Sequence, residues 1–306
     1  MPTYSFVSAP LRAPDAAVEP ASDFDGIPAR SEGIVFNHSG NIGDVIYSLY
    51  FVYEFVVARN LSKPVFNIQI DCPADHYASH PSGAFLLDEA AAAFLRPLLD
   101  KYGRFASVTV SREVPRSALD LSRFRRLRLN FAAGDIRGYY YNLTGEHLPQ
   151  DFARPLFVPE KDPRLRDRII LIRTGRYNNC FLDYGCLREI RDKLVFFGLP
   201  QEHEQFCGEF FQVEYFPVRD AAEAAELMGG ARGVIGNPSG LYTIAECLNV
   251  PRVLLSPEFM RWGSGGVIAP GPVNVHPRGG WFEVVQTKDK FPHAVANLLA
   301  LPPENA

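Results

Sequence analysis

From Gly33 onward, short apolar runs alternate with amphipathic stretches. "GIVFN" (33–37), "PVFNIQI" (64–70) and "FASVTVS" (105–111) read as strands, rich in β-branched and aromatic residues. Asp44 to Arg59 reads as a helix, and so does "GAFLLDEAAAAFLRPLLDKY" (83–102), kinked near Pro97. Residues 119–145 mix a basic with an aromatic stretch and predict no clear element. "FARPLFVPEKDPRLRDR" (152–168) carries three prolines and breaks the periodicity, as a linker would. Alternation then restarts, with strands at 168–174, 193–198, 212–218, 232–237 and 251–256. Helices fall between them at 184–193, 200–210, 220–230 and 240–249, and a last one at 291–301.

This alternation predicts parallel sheets joined by right-handed crossovers. The expected fold is α/β: two Rossmann-like domains whose parallel sheets face each other across a cleft. The expected boundaries are an N-terminal extension (1–32), an acceptor-side domain (33–155), a nucleotide-binding domain (156–290), and a C-terminal helix and tail (291–306). Ligands of parallel sheets sit beyond the carboxyl ends of the strands. That directs attention to the loops at 37–44, 173–179, 198–203 and 236–240.

Composition narrows the class. The chain has 306 residues, enough for two cores, with 47% hydrophobic and 22% charged residues. A net charge of −4 argues against wholesale coating of nucleic acid or anionic membrane. Cysteines at 72, 180, 186, 207 and 247 show no CxxC spacing and read as reduced thiols of a cytoplasmic protein. The N-terminus lacks a signal-peptide pattern, and no apolar run is long enough to span a membrane.

Two junctions carry the candidate chemistry. In "VIGNPSGLYTIAECLN" (234–249), Ser239, Gly240 and Leu241 would present backbone amides at the positive end of a helix, a ready anion site. Thr243 adds a hydroxyl one turn in, and Glu246 lies near the same face, at a reach suited to ribose hydroxyls. The bland alternative is a strand–turn–helix with Ser239 as N-cap. Arg173 and Arg176 follow another strand, either as a diphosphate clamp or as surface charges. Gly198 would let a planar group approach the backbone.

In "VFNHSGNIGDVIYSL" (35–49), Asp44 opens a helix, so it should be ionised and able to accept a proton, or else cap the helix. Its loop also holds His38, Gly40, Asn41 and Gly43; a histidine there is more often a structural hydrogen-bonder than a catalyst. Seven arginines in 104–129 form either a solvated face or a local groove for an anionic acceptor. "EFMRWGSGG" (258–266) and "GGWFEVV" (279–285) suit a mobile cleft loop.

"SGNIGDVIYSL" (39–49) resembles the "GD" loop of the heptosyltransferase-like family 9 of GT-B glycosyltransferases, and "GNPSGLYTIAECLNVPRVLL" is similar to that family's nucleotide-binding strand–turn–helix. The resemblance spans residues 33–300. It implies an inverting, metal-independent glycosyltransferase using a nucleotide-diphosphate sugar as donor, without a resident cofactor or metal. Asp44 would be the general base; Ser239, Gly240 and Leu241 would hold the donor phosphates, with Arg173 or Arg176 beside them. No Asp-x-Asp pair sits in a plausible metal position. Pro238 and Thr243 stand where heptosyltransferases carry Asp and His, which points away from ADP-heptose and lipopolysaccharide core. Glu246 is similar to the ribose-binding glutamate of other GT-B enzymes. The acceptor stays open between glycan, lipid-linked and nucleic-acid classes, as does the oligomeric state. A transferase acting on DNA bases, a sugar-nucleotide epimerase and a non-catalytic binding module remain as alternatives.

Overall fold

A computed structural model describes residues 33–74, 85–126, 136–144, 154–175, 177–256, 259–262, 267–270 and 279–302. The predicted extension 1–32, Arg176 and the end of the arginine-rich run lie outside these residues.

The first unit holds a parallel sheet of four strands among the described residues: β1 (Val35–His38), β2 (Val65–Gln69), β3 (Ser107–Ser111) and β4 (Ala118–Asp120), in the order β3-β2-β1-β4. Helices α1 (Ile42–Ala58) and α2 (Glu89–Tyr102) follow β1 and β2. Alternation along the strands separates two faces. Phe36, Phe66, Ile68, Val108 and Leu119 enter the core. Asn37, Asn67, Thr109 and Asp120 fall in one register row on the other face. Asn67 donates to Asn37 (2.8 Å), Asn37 to Asp120 (3.0 Å) and Thr109 to Asn67 (2.8 Å), so the buried amides are satisfied side by side. Strand β4 was not foreseen; three residues inside an arginine-rich stretch carry almost no periodicity.

The second unit has a six-stranded parallel sheet, with β5 (Ile169–Ile172), β6 (Leu194–Phe197), β7 (Glu214–Tyr215), β8 (Gly233–Gly236), β9 (Arg252–Leu255) and β12 (Phe282–Val285) in the order β12-β9-β8-β5-β6-β7. Strands β5, β6, β8 and β9 are buried along their whole length, as expected of a sheet covered on both faces. The short helix α3 (Ile136–Tyr139) belongs to the first unit, and α4 (Pro200–Glu209), α5 (Ala221–Gly230) and α6 (Gly240–Leu248) to the second. Tyr184–Lys193 is a 3-10 helix. Strands β10 (Phe259–Trp262) and β11 (Val267–Pro270) form an antiparallel hairpin. Most of the predicted cleft loop at 279–285 is in fact the edge strand β12 (Phe282–Val285), running parallel to β9, with the turn before it held by Arg252 donating to the Gly279 carbonyl (2.7 Å). Helix α7 (Phe291–Ala300) does not stand apart: Phe291, Ala294, Val295 and Leu298 bury themselves in the outer core of the second sheet.

The units are joined by more than a linker. Helix α1 packs on α6, and α2 on α5. One continuous apolar core runs from Phe36 and Leu99 through Leu227 and Ile244 to Leu254. Lys101 and Tyr102 of α2 reach Glu226 of α5 at 2.6 and 2.9 Å. No described helix is long and apolar enough to cross a membrane.

Candidate active site

The β1–α1 loop is built around a buried histidine. His38 Nδ1 accepts the Gly40 amide (2.8 Å), which leaves Nε2 to carry the proton and donate to the Tyr140 hydroxyl (3.0 Å). Tyr140 in turn donates to the Asp44 carbonyl (2.7 Å). This chain of donors suits a neutral ring. Burial above all, helped by the Arg125 cation and opposed by the Asp44 carboxylate, lowers the His38 pKa to about 3. His38 is therefore a fixed brace of the loop.

Asp44 sits in the first turn of α1. Its Oδ2 accepts the Asn41 amide (3.2 Å) and the Arg125 guanidinium, so the residue both caps the helix and carries an ion pair. Arg125 belongs to a 3-10 helix, Leu121–Arg126, directly after β4. That helix is tied to the loop through Ser122, whose hydroxyl lies 2.7 Å from the Ser39 amide and 2.8 Å from its hydroxyl. Gly40 is where the loop closes most tightly: a Cβ there would overlap His38 and lie 2.7 Å from Asp44 Cβ and 2.8 Å from Arg125 Nη2. Asn41 Oδ1 is buried without a hydrogen-bond partner.

The β8–α6 turn is simpler. Ser239 is the N-cap and accepts the Tyr242 amide (3.1 Å). The amides of Gly240 and Leu241 belong to the first turn, where an α-helix supplies no internal acceptors. Both residues are partly exposed. Before them, Asn237 binds the β5 exit twice, accepting the Thr174 amide and donating to its carbonyl, each at 2.9 Å. Sequence reasoning passed over Asn237, although a lone buried Asn at a strand end is the signal for such a clamp.

The two helix starts meet. A Cβ on Gly43 would lie 2.9 Å from Thr243 Oγ1, and one on Gly240 would lie 2.9 Å from two carbons of Ile42. One turn further, Tyr47 of α1 donates to the Glu246 carboxylate of α6, with the Thr243 hydroxyl 3.1 Å from the Tyr47 hydroxyl. Burial, reinforced by the Glu246 charge, holds the Tyr47 hydroxyl well above the usual phenol range, so it stays a donor.

Three expectations change here. Glu246 is fully buried beneath Tyr47, not open to a ribose; α1 covers the face of α6 on which it lies. Arg173 is turned inward: it pairs with Glu209 at 2.6 Å and lies over the rings of Tyr184 and Phe210 at 5.8 and 5.3 Å. An aromatic shelf and a carboxylate on α4 outcompete the open strand end for a guanidinium that is 6% exposed. Gly198, with φ +155°, does occupy a conformation that favours glycine, but the Glu202 carboxylate and Phe196 ring already fill the space beside it, each 2.9 Å from a would-be Cβ.

No family profile matches the sequence, and no curated protein matches it. Solved structures do. A family 9 glycosyl transferase from Veillonella parvula superposes with a TM-score of 0.55 at 13% identity, covering 91% of this chain and 95% of that one. The ADP-heptose lps heptosyltransferase II of E. coli gives 0.57 at 14% identity, over 87% and 98%. E. coli heptosyltransferase WaaC, solved with ADP-2-deoxy-2-fluoro heptose, gives 0.51 at 12% identity, over 89% and 99%. Two parallel α/β units, joined through α1 and α6 and matched over nearly the whole length of these enzymes, establish that the chain has the GT-B fold.

Proposed function

We propose that the protein is an inverting glycosyltransferase that moves a sugar from a nucleotide-diphosphate donor to an acceptor hydroxyl, with Asp44 as general base. One observation carries this reading. The start of α1, which bears Asp44, lies against the start of α6, which bears the amides suited to phosphate. That contact supports the reading, because a base at Asp44 and a phosphate on the α6 amides would then share one junction. The GT-B fold and the nucleotide-sugar chemistry of the neighbours with that fold support the same class.

In this mechanism the acceptor oxygen attacks the anomeric carbon as its proton passes to the Asp44 carboxylate. The bond to the diphosphate breaks, and that group leaves with the electron pair. Gly240 and Leu241 amides, at the positive end of α6, stabilise it, with Ser239 and Thr243 bordering the site and Arg176 as the cation assigned to it. The buried acceptor Asn41 Oδ1 offers an incoming hydroxyl a partner beside the base. Arg173 and Glu246 are braces in this scheme. The reaction is proposed to need neither cation nor resident cofactor, and to take place in the cytoplasm.

The test is a panel of nucleotide-diphosphate sugars and acceptors read by mass spectrometry. One donor should give a glycosylated product, and Asp44→Asn, folded as judged by its melting curve, should lower turnover at least about a hundredfold. Full activity in Asp44→Asn would remove it as the base. Thermal stabilisation by a nucleoside diphosphate with no transfer to any acceptor would make the protein a binding module.

A further inference from the structure

The Asp44 carboxylate is held, in this structure, in a way that opposes the task just assigned to it. Its Oδ2 accepts from Arg125 Nη2, from the Asn41 amide at 3.2 Å and from Asn41 Nδ2 at 3.4 Å. Each donor occupies the oxygen that would take the proton, so the carboxylate must give up a hydrogen bond before that oxygen can act as base. Of these donors, the Asn41 groups are neighbours within the same turn and move with Asp44. Arg125 reaches Asp44 from another element, the 3-10 helix after β4.

Its setting allows it to leave. The backbone of Leu121–Arg126 is anchored, with the Ser122 amide on Asp120 at 3.1 Å and the Ser122 hydroxyl on Ser39. Phe124 is buried against Tyr140 (4.7 Å between ring centres) and His38 (6.1 Å). The long Arg125 side chain is the adjustable part, and at 27% exposure it is more open than Asp44 at 18%. A guanidinium has five donors in a fork, more than one carboxylate oxygen engages. It can therefore take a second anion from the solvent side.

We infer that Arg125 is a positioning residue that exchanges partners: it holds Asp44 in the resting protein and swings onto a phosphate or carboxylate group of an arriving substrate, which releases Asp44 to accept the proton. The inference rests on Asp44 being the base. It gives one member of the arginine-rich 104–129 run a specific task. The anion belongs to the donor's diphosphate or to an anionic acceptor.

Calorimetric binding of ADP and of glucose 6-phosphate to the full-length protein tests it without any turnover. Arg125→Gln should bind one of the two probes about tenfold more weakly. Asp44→Asn should bind the same probe about tenfold more tightly, because the guanidinium has lost its competing partner. The double variant Asp44→Asn/Arg125→Gln should lose that gain, a coupling that a merely structural arginine would not produce. A response to ADP assigns the anion to the donor, and a response to glucose 6-phosphate assigns it to the acceptor. Arg125→Lys keeps the charge and should retain most of the affinity, which covers the case in which Arg125→Gln fails to fold. Equal affinities for both probes in wild type and Asp44→Asn would overturn the exchange. Transfer by Asp44→Asn would instead remove the base while leaving the binding result standing.

Discussion

The β1–α1 loop and the β8–α6 turn are the same local motif, a parallel strand that turns through small residues into a helix, yet they are built from opposite materials. In the first, side chains do the work: His38, Tyr140, Asp44, Arg125 and Ser122 converge on a glycine with no spare room. In the second, one serine caps the helix and an asparagine ties the neighbouring strand, and main-chain amides form the outer surface. The difference separates two kinds of chemistry. An array of side chains around a half-buried ion pair can tune a proton transfer. A bare helix start binds an anion without regard to what carries it, since the donors are backbone. The first loop is therefore sensitive to substitution, and the second is tolerant.

Steric tests should break that contrast most strongly. Gly40→Ala forces a methyl between His38, Asp44 and Arg125 and should cost about 2–3 kcal/mol in urea unfolding. Gly240→Ala meets the Ile42 side chain first and should cost about 1 kcal/mol. Equal losses would erase the distinction. At the seam between the two motifs, Tyr47→Phe removes a donor from the buried Glu246 and should cost about 2 kcal/mol by the same measurement. Smaller still, Ser239→Ala loses the cap of α6 and should cost about 1 kcal/mol, with α1 unaffected in hydrogen exchange.

The smallest effect per step is a slope. His38 takes a proton at pH 6.5 when unfolded but only at about pH 3 when folded. Its folded pKa is depressed, so the unfolded state binds the extra proton between these values. Stability is full above pH 6.5 and falls as pH drops toward 3, by about 1 kcal/mol per pH unit. His38→Asn should flatten that slope between pH 6.5 and 5, where few carboxylates titrate. An unchanged slope would show that His38 is not the buried neutral group described here.

Much of the architecture was legible along the chain. Runs such as "RIILIRT" and "RGVIGN" are buried on both faces, and such strands announce a parallel sheet through sheer apolar density. The start of α6 was legible for a similar reason, because Ser-Gly after a strand is local capping chemistry. Strand β4 and strand β12 were not, since one is three residues long among arginines and the other follows glycines and aromatics that suit a loop equally well.

At the site, the positions legible in the sequence were those set by near neighbours. Asp44 at a helix start and Ser239 at a cap need only three or four residues of context. Those misplaced or missed depend on partners far along the chain: Arg125 on Asp44, 81 positions away, Tyr47 on Glu246, 199 positions away, and Arg173 on Glu209, 36 positions away. Helix α6 looked the same from its own sequence whether Glu246 faced a ribose or a tyrosine.

Backbone pattern, being a matter of periodicity and turn chemistry, is written locally, and the order of strands and helices followed from it. Which charge meets which is another matter. A guanidinium or a carboxylate has several anions, cations or rings within its reach once the chain folds, and burial selects among them. The packing of α1 against α6 made that selection here: it closed Glu246 under Tyr47 and brought the Asp44 turn against the start of α6.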